Sequence, residues 1–250
     1  MKKYFIILTG MILSTGLLPA QNDTMYIMRN GVVMTKYSAS YIDSIVFYQP
    51  VDATVSDADG NVYNIVNIGD QVWITENLKT TRYNDSTAIP LVTDNAAWAA
   101  LNTPAYCWYQ NDSTAYSNPY GALYSGYAVN TGKLCPAGWH VPTSSEWQNL
   151  IDFLGGNSVA GGKLKEIGTD YWTNPNKEAT NETGFTALAG SYRMATGTFS
   201  GTLYDYGYWW SSSEVDASNA RGYMMGYNWG AVQISNGLKQ LGYSIRCIRD

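Results

Sequence analysis

One stretch, CPAGWHVPTSSEW from Cys135 to Trp147, constrains the fold more than any other. Thr143 followed three residues later by Glu146 is a capping box, in which each side chain bonds the other's otherwise orphaned backbone N–H, so a helix starts here. Pro142 and Trp147 occupy the two staple positions around that start. Trp147, Leu150, Ile151 and Leu154 then recur on one helical face, and Gly155-Gly156 ends the run. The stretch also holds a cysteine and His140, the single histidine of the chain. A lone histidine between Trp and Val reads as a packed, hydrogen-bonded core residue rather than a catalytic base.

The N-terminus reads as a cleaved secretory signal over residues 1–20. Lys2 and Lys3 precede an apolar run from Tyr4 to Leu18, and Pro19-Ala20 make a small-residue cleavage site before Gln21. That run is too short and too interrupted to be a comfortable membrane span, an N-terminal membrane anchor being the alternative, and no later stretch is apolar enough to span a bilayer. The expectation is an exported chain, periplasmic, cell-surface or extracellular, with no transmembrane segment once mature. Without Lys2 and Lys3 it carries 13 basic against 20 acidic residues, a formal charge of −7. Such a chain has no electrostatic reason to seek nucleic acid. Three cysteines in an exported chain imply one disulfide and one leftover thiol. Cys107, between Tyr106 and Trp108, reads as a buried, inert thiol, with a reactive or intermolecular cysteine as the alternative. Charged residues make up only 14% of the chain, no more than the aromatic share. Tyr, Trp, Asn, Ser and Gly must therefore cover much of the surface, as they do in β- and loop-rich binding proteins.

In chain order, residues 21–53 form a small β unit or linker. MYIM and VVMTKY flank Arg29-Asn30-Gly31, a hairpin signal, and Ser44–Tyr48 is a third strand before Pro50. The main domain runs over residues 54–250. Asp57, Asp59 and Asn61 are spaced like the start of a calcium loop, but the twelfth position is Ile68 rather than glutamate, so they read as a plain turn. VYNIVNI and QVWIT around Gly69-Asp70 form a β-hairpin. A short helix is expected at Asn95–Leu101 and a strand at Ala105–Tyr109. Tyr120, Tyr124 and Tyr127 fall at helical spacing interrupted by Gly121 and Gly126. A second helix holds Leu164 and Ile167 and ends at Gly168. Beyond Thr169 the chain is glycine-rich turns and aromatic strands.

These motifs carry a resemblance. DADGNVYNIVNIGDQVWITENL, YCWYQND, YGALY, CPAGWHVPTSSEW, TNETGFTALAGSYR, YWWSSSE and GYSIRCIRD resemble the Fibrobacter succinogenes major paralogous domain across Val55 to Asp250. That family is similar to C-type lectin-like folds. The resemblance implies an α+β architecture: an early antiparallel hairpin paired with the terminal strand, two helices, and a long loop region before the closing strands. By position it implies a disulfide between Cys135 and Cys247. Calcium-dependent lectins of this fold carry Glu-Pro-Asn or Gln-Pro-Asp plus Trp-Asn-Asp. The nearest strings here are Gln110-Asn111-Asp112 and Tyr227-Asn228-Trp229, so no metal site and no cofactor are expected.

Function is expected in the densest aromatic region, Tyr204 to Trp229. Trp209 and Trp210 are adjacent, so on a strand they face opposite sides and at least one is core. Tyr206, Trp210, Tyr227, Asn228 and Trp229 are the candidate ligand contacts, for a glycan or a surface protein in an adhesion role. No residue set forms a catalytic site. Asp205, Glu214 and Asp216 are the acids whose position near aromatics would suit a polysaccharide hydrolase. A structural subunit docking through residues 21–50 is the other alternative.

Overall fold

The computed structural model describes residues 24–29, 32–38 and 54–250. The leader expected at residues 1–20 and the strand expected at residues 44–48 lie outside the described residues. The chain divides into two units, Met1–Val51 and Asp52–Asp250. In the first, β1 (Thr24–Arg29) and β2 (Val32–Ser38) pair antiparallel with Arg29 opposite Val32, as the Asn30-Gly31 signal requires.

The second unit opens with β3 (Thr54–Ser56), β4 (Val62–Ile68) and β5 (Gln71–Ile74). Asp57 closes the first turn: its carboxylate accepts the N–H groups of Asp59 and Asn61 and the hydroxyl of Tyr63. Then come α1 (Asn95–Ala99), β6 (Tyr106–Cys107), α2 (Ser113–Tyr116), β7 (Leu123–Ser125), α3 (Gly126–Val129) and β8 (Trp139–His140). The strand expected at Ala105–Tyr109 is shorter, because Tyr109–Asn111 turn into a 3-10 helix. The helically spaced tyrosines do not share a helix: Tyr124 lies on β7 and only Tyr127 on α3. α4 (Ser144–Phe153) and α5 (Asn157–Leu164) follow, then β9 (Tyr206–Glu214), β10 (Asn219–Gly226), β11 (Gln233–Leu238), β12 (Gly242–Tyr243) and β13 (Ile248–Arg249). The fold is α+β. Sheet orders are β3-β4-β5-β13-β8, β12-β7-β6 and β11-β10-β9, with every named pairing antiparallel. The terminal strand β13 thus sits between the early hairpin and β8, with Ile248 opposite both Trp73 and His140.

α4 begins on the capping box: Glu146 Oε2 accepts from Thr143 N at 2.7 Å, and Thr143 Oγ1 accepts from Glu146 N at 3.2 Å. Its buried face is Trp147, Leu150 and Ile151. α5 ends at Leu164, earlier than its sequence suggested, and Ile167 is exposed. Two glycines fix it there. A Cβ on Gly161 would lie 2.4 Å from the Ala231 carbonyl oxygen, and one on Gly162 would lie 2.3 Å from that of Glu178. Cys135 and Cys247 are disulfide-bonded, tying the segment before β8 to the residue that leads into the last strand. Cys107 is buried and free, and burial pushes its thiol up to about 12 against the opposing pull of Arg193.

β9 separates the two main cores. Trp209 joins Trp73, Trp147, Trp172, Phe185 and Tyr223 beneath the helices. Trp210 points the other way, among Tyr63, Tyr124, Trp139 and Tyr243. The long irregular segments leave buried carbonyls with no ladder to join, and buried cations serve them. Arg246 donates to the carbonyls of Ile74, Phe185 and Thr186 and lies over the Phe185 ring. Arg193 donates to those of Gly197, Val92 and Thr93, between the rings of Trp98 and Phe199.

Candidate functional site

Tyr206, Tyr208 and Trp210 are two residues apart on β9 and so share one face of the strand. Opposite them in the register stand Gly226, Met224 and Gly222 of β10. The two glycines leave that face open to aromatic rings from elsewhere. At the Gly226 end the space is filled by the indole of Trp229: a Cβ on Gly226 would come within 2.5 Å of it. The result is an aromatic row graded from open to closed. Tyr206 lies 5.6 Å from Trp229 and 6.3 Å from Tyr227, centroid to centroid, and these three rings are each partly exposed. Tyr208 comes next, packed on Tyr192 at 4.7 Å and stacked on Tyr243 at 5.1 Å. Burial raises its hydroxyl pKa, and the neighbouring tyrosines add to the effect.

Trp210 closes the row and is not a surface residue, contrary to its choice as a ligand contact. It is 0% exposed, 4.3 Å from Tyr243, and its indole N–H donates to the Tyr124 carbonyl. Its partner Trp209 is equally buried and donates to Asn77 Oδ1. Both halves of the tryptophan pair are core because a core lies on each side of β9. Of the expected contacts, the structure brings together Tyr206, Tyr227 and Trp229, with the exposed Asn228 between the last two.

The turn carrying Tyr227, Asn228 and Trp229 is held from behind. Lys165, 0% exposed, follows α5 and directs its ammonium at three carbonyls: Lys177 at 2.9 Å, Gly226 at 3.0 Å and Trp229 at 2.9 Å. Burial pushes its pKa down to about 8, with Glu178 pulling the other way, and the nitrogen lies 5.3 Å from the Trp172 ring centroid. Tyr227 N donates to Asp205 O, and Lys177 N to Tyr227 O. The indole N–H of Trp229 is buried with no hydrogen-bond partner. Lys165 was not visible as a functional residue in the sequence, because nothing local marks a lysine that satisfies carbonyls in two other segments.

The three acids near the aromatics have other partners. Asp205 accepts from Thr173 Oγ1 at 2.6 Å, Glu214 pairs with Lys239 at 2.6 Å, and Asp216 caps its own turn through Ser218 N and Asn219 N. His140 is not the packed core residue its neighbours implied. Its side chain is 34% exposed and bridges two carboxylates, with Nδ1 2.6 Å from Asp250 Oδ1 and Nε2 2.9 Å from Glu146 Oε1. On β8 the alternation buries Trp139 and turns His140 outward. Partial burial pulls its pKa down, but the hydrogen bonds to Asp250 and Glu146 outweigh it and the net direction is upward.

Among the described residues, no helix is long and apolar enough to cross a membrane. The model of the Fibrobacter succinogenes major domain matches residues 66–249. No curated protein and no solved structure matches the chain.

Proposed function

The chain belongs to the Fibrobacter succinogenes major domain family, and from that premise we propose that it is an exported, non-catalytic binding domain of C-type lectin-like type that engages a glycan at the cell surface. The observation that carries this reading is the partly exposed cluster of Tyr206, Tyr227 and Trp229 beside the exposed amide of Asn228. Aromatic faces supply rigid apolar area for the C–H face of a sugar ring, and Asn adapts its donors and acceptors to hydroxyls. Lys165 supports the reading by fixing the turn, so little ordering cost remains for binding. Export is supported by the Cys135–Cys247 disulfide, which persists in oxidising compartments. Binding is favoured over hydrolysis because Asp205, Glu214 and Asp216 are each engaged locally.

The test is a glycan array, run alongside a pull-down from surface proteins, with wild type, Tyr206→Ala and Trp229→Ala. The expected result is a discrete set of retained glycans, weakened roughly tenfold or more in both variants, about 1.4 kcal/mol or more. No glycan bound, together with a defined protein partner captured, sinks the glycan reading.

A further inference from the structure

An open cleft of ≈ 320 Å³ lies between the first turn of the main domain and the segment after β6, lined by residues that include Asp59, Lys79, Trp108, Ser113 and Ser117 and none of the Tyr206–Trp229 cluster. Its walls are held rigidly. The Asp57 carboxylate fixes the turn bearing Asp59 through four hydrogen bonds, including one from Asn61 Nδ2 and one from Tyr63 OH at 2.6 Å. Trp108 is partly buried and stands edge-on to Tyr106 at 5.7 Å, which sets the plane of its indole.

What the walls offer is a set of groups without partners. Among the described residues, the Lys79 ammonium makes no ion pair, and the hydroxyls of Ser113 and Ser117 and the indole N–H of Trp108 make no hydrogen bond. The Asp59 carboxylate is already balanced by Arg82 at 3.2 Å. The cleft therefore presents one aromatic plane, several small donors and acceptors, and one uncompensated cation. Its volume sits at the low end of the roughly 300–1,000 Å³ typical of small-molecule sites. A ligand that uses all of these has an apolar ring face, hydroxyl groups and a negative charge.

We propose that this cleft is a second binding site, for an acidic sugar residue of the uronate type. The ring lies on Trp108, the carboxylate pairs with Lys79, and the hydroxyls reach Ser113, Ser117 and Asp59. The inference deepens the glycan-binding reading while resting on different residues.

The experiment is isothermal titration of the full-length mature protein with a glucuronate-containing disaccharide and with its neutral glucose counterpart. Wild type, Lys79→Met, Trp108→Ala and Trp229→Ala are compared, and circular dichroism checks that each variant is folded. The expected result is binding of the uronate at least tenfold tighter than of the neutral sugar. Affinity falls tenfold or more in Lys79→Met and Trp108→Ala. Lys79 is part-exposed and its ammonium makes no ion pair among the described residues, so its variant decides the matter even if Trp108→Ala fails to fold. Equal binding of both sugars, or uronate binding indifferent to Lys79→Met, overturns the proposal. Uronate binding lost only in Trp229→Ala overturns it too, but leaves the aromatic cluster as the glycan site. No binding of the uronate to wild type overturns it as well, and the glycan array then judges the broader reading separately.

Discussion

Replacing Lys165 with Met isolates the strongest electrostatic feature behind the aromatic cluster. The side chains are of similar length, so the change removes an ammonium and leaves the packing beside Trp172 nearly intact. Three carbonyls lose their donor at once. Leaving buried acceptors without a donor costs about 1–3 kcal/mol each, so about 3–5 kcal/mol for three that share one ammonium. At pH 7 much of that loss is offset, because wild type must keep an ammonium out of water. A folded pKa of about 8 against 10.5 corresponds to about 3 kcal/mol of destabilisation by the charge. The net penalty of Lys165→Met at pH 7 is then only about 0–2 kcal/mol. Between pH 8 and 10.5 the unfolded chain holds the lysine proton and the folded chain does not, so wild-type stability from this group rises with pH. The variant has no such gain, so its penalty widens by up to about 3 kcal/mol as the folded-state amine loses its charge. Urea unfolding of both proteins at pH 7, 8, 9 and 10 reads the difference directly. The tyrosines whose burial raises their pKa, Tyr208 among them, are common to both and cancel. A penalty that stays flat or narrows with rising pH would refute the assignment of Lys165 as a buried, carbonyl-bound cation.

Two further outcomes follow from the same structure. Replacing Cys135 and Cys247 together by serine opens a link across a separation of 112 residues and lowers stability by about 4–5 kcal/mol, measured by denaturant midpoint under non-reducing conditions; a peptide map showing Cys107 in the bridge contradicts the pairing. Replacing His140 with Gln costs at most about 1 kcal/mol, since the ion pairs are partly exposed. The raised His140 pKa gives stability that is present below the unfolded value of 6.5 and lost as pH climbs through the folded value. The Glu146 pKa is lowered: partial burial opposes this, but hydrogen bonds from Thr143 and His140 outweigh it, so its share is lost below 4.5. The variant therefore differs most from wild type near pH 5–6 and progressively less as pH rises above 6.5, which thermal melts across that range resolve.

Elements governed by local rules were legible in the sequence. The Thr143–Glu146 capping box and the Gly69-Asp70 turn each depend on residues within a few positions, and each folds as read. The Cys135–Cys247 bridge came from family resemblance rather than from spacing, and it is present. Two readings that needed to know what covers a residue failed, although Cys107 is buried as read. Trp210, a candidate ligand contact from sequence, is buried, because alternation places two tryptophans on opposite sides of β9 but does not reveal that both sides are core. His140 reads as core from its neighbours and is about a third exposed, because the same alternation on β8 gives the inward position to Trp139.

Arg193 and Arg246 sit inside motifs that family resemblance singled out, FTALAGSYR and YSIRCIRD, yet nothing in those strings says that their guanidinium groups are buried. The reason they are buried lies in the loops. A domain with this much irregular backbone must satisfy carbonyls that no sheet or helix reaches, and one guanidinium serves several of them while stacking on an aromatic ring. Lys165 does the same with three donors. The aromatic abundance and the scarcity of charge therefore have one explanation: the few cations that enter the interior need rings beside them and carbonyls around them. That arrangement stiffens the loops from within and leaves Tyr206, Tyr227 and Trp229 at one place and Trp108 at another as partly exposed aromatic faces on a fixed frame. Rigid loops presenting aromatic rings are what recognition of a weakly apolar, hydroxyl-rich ligand requires, since such a ligand offers little energy to spend on ordering the protein.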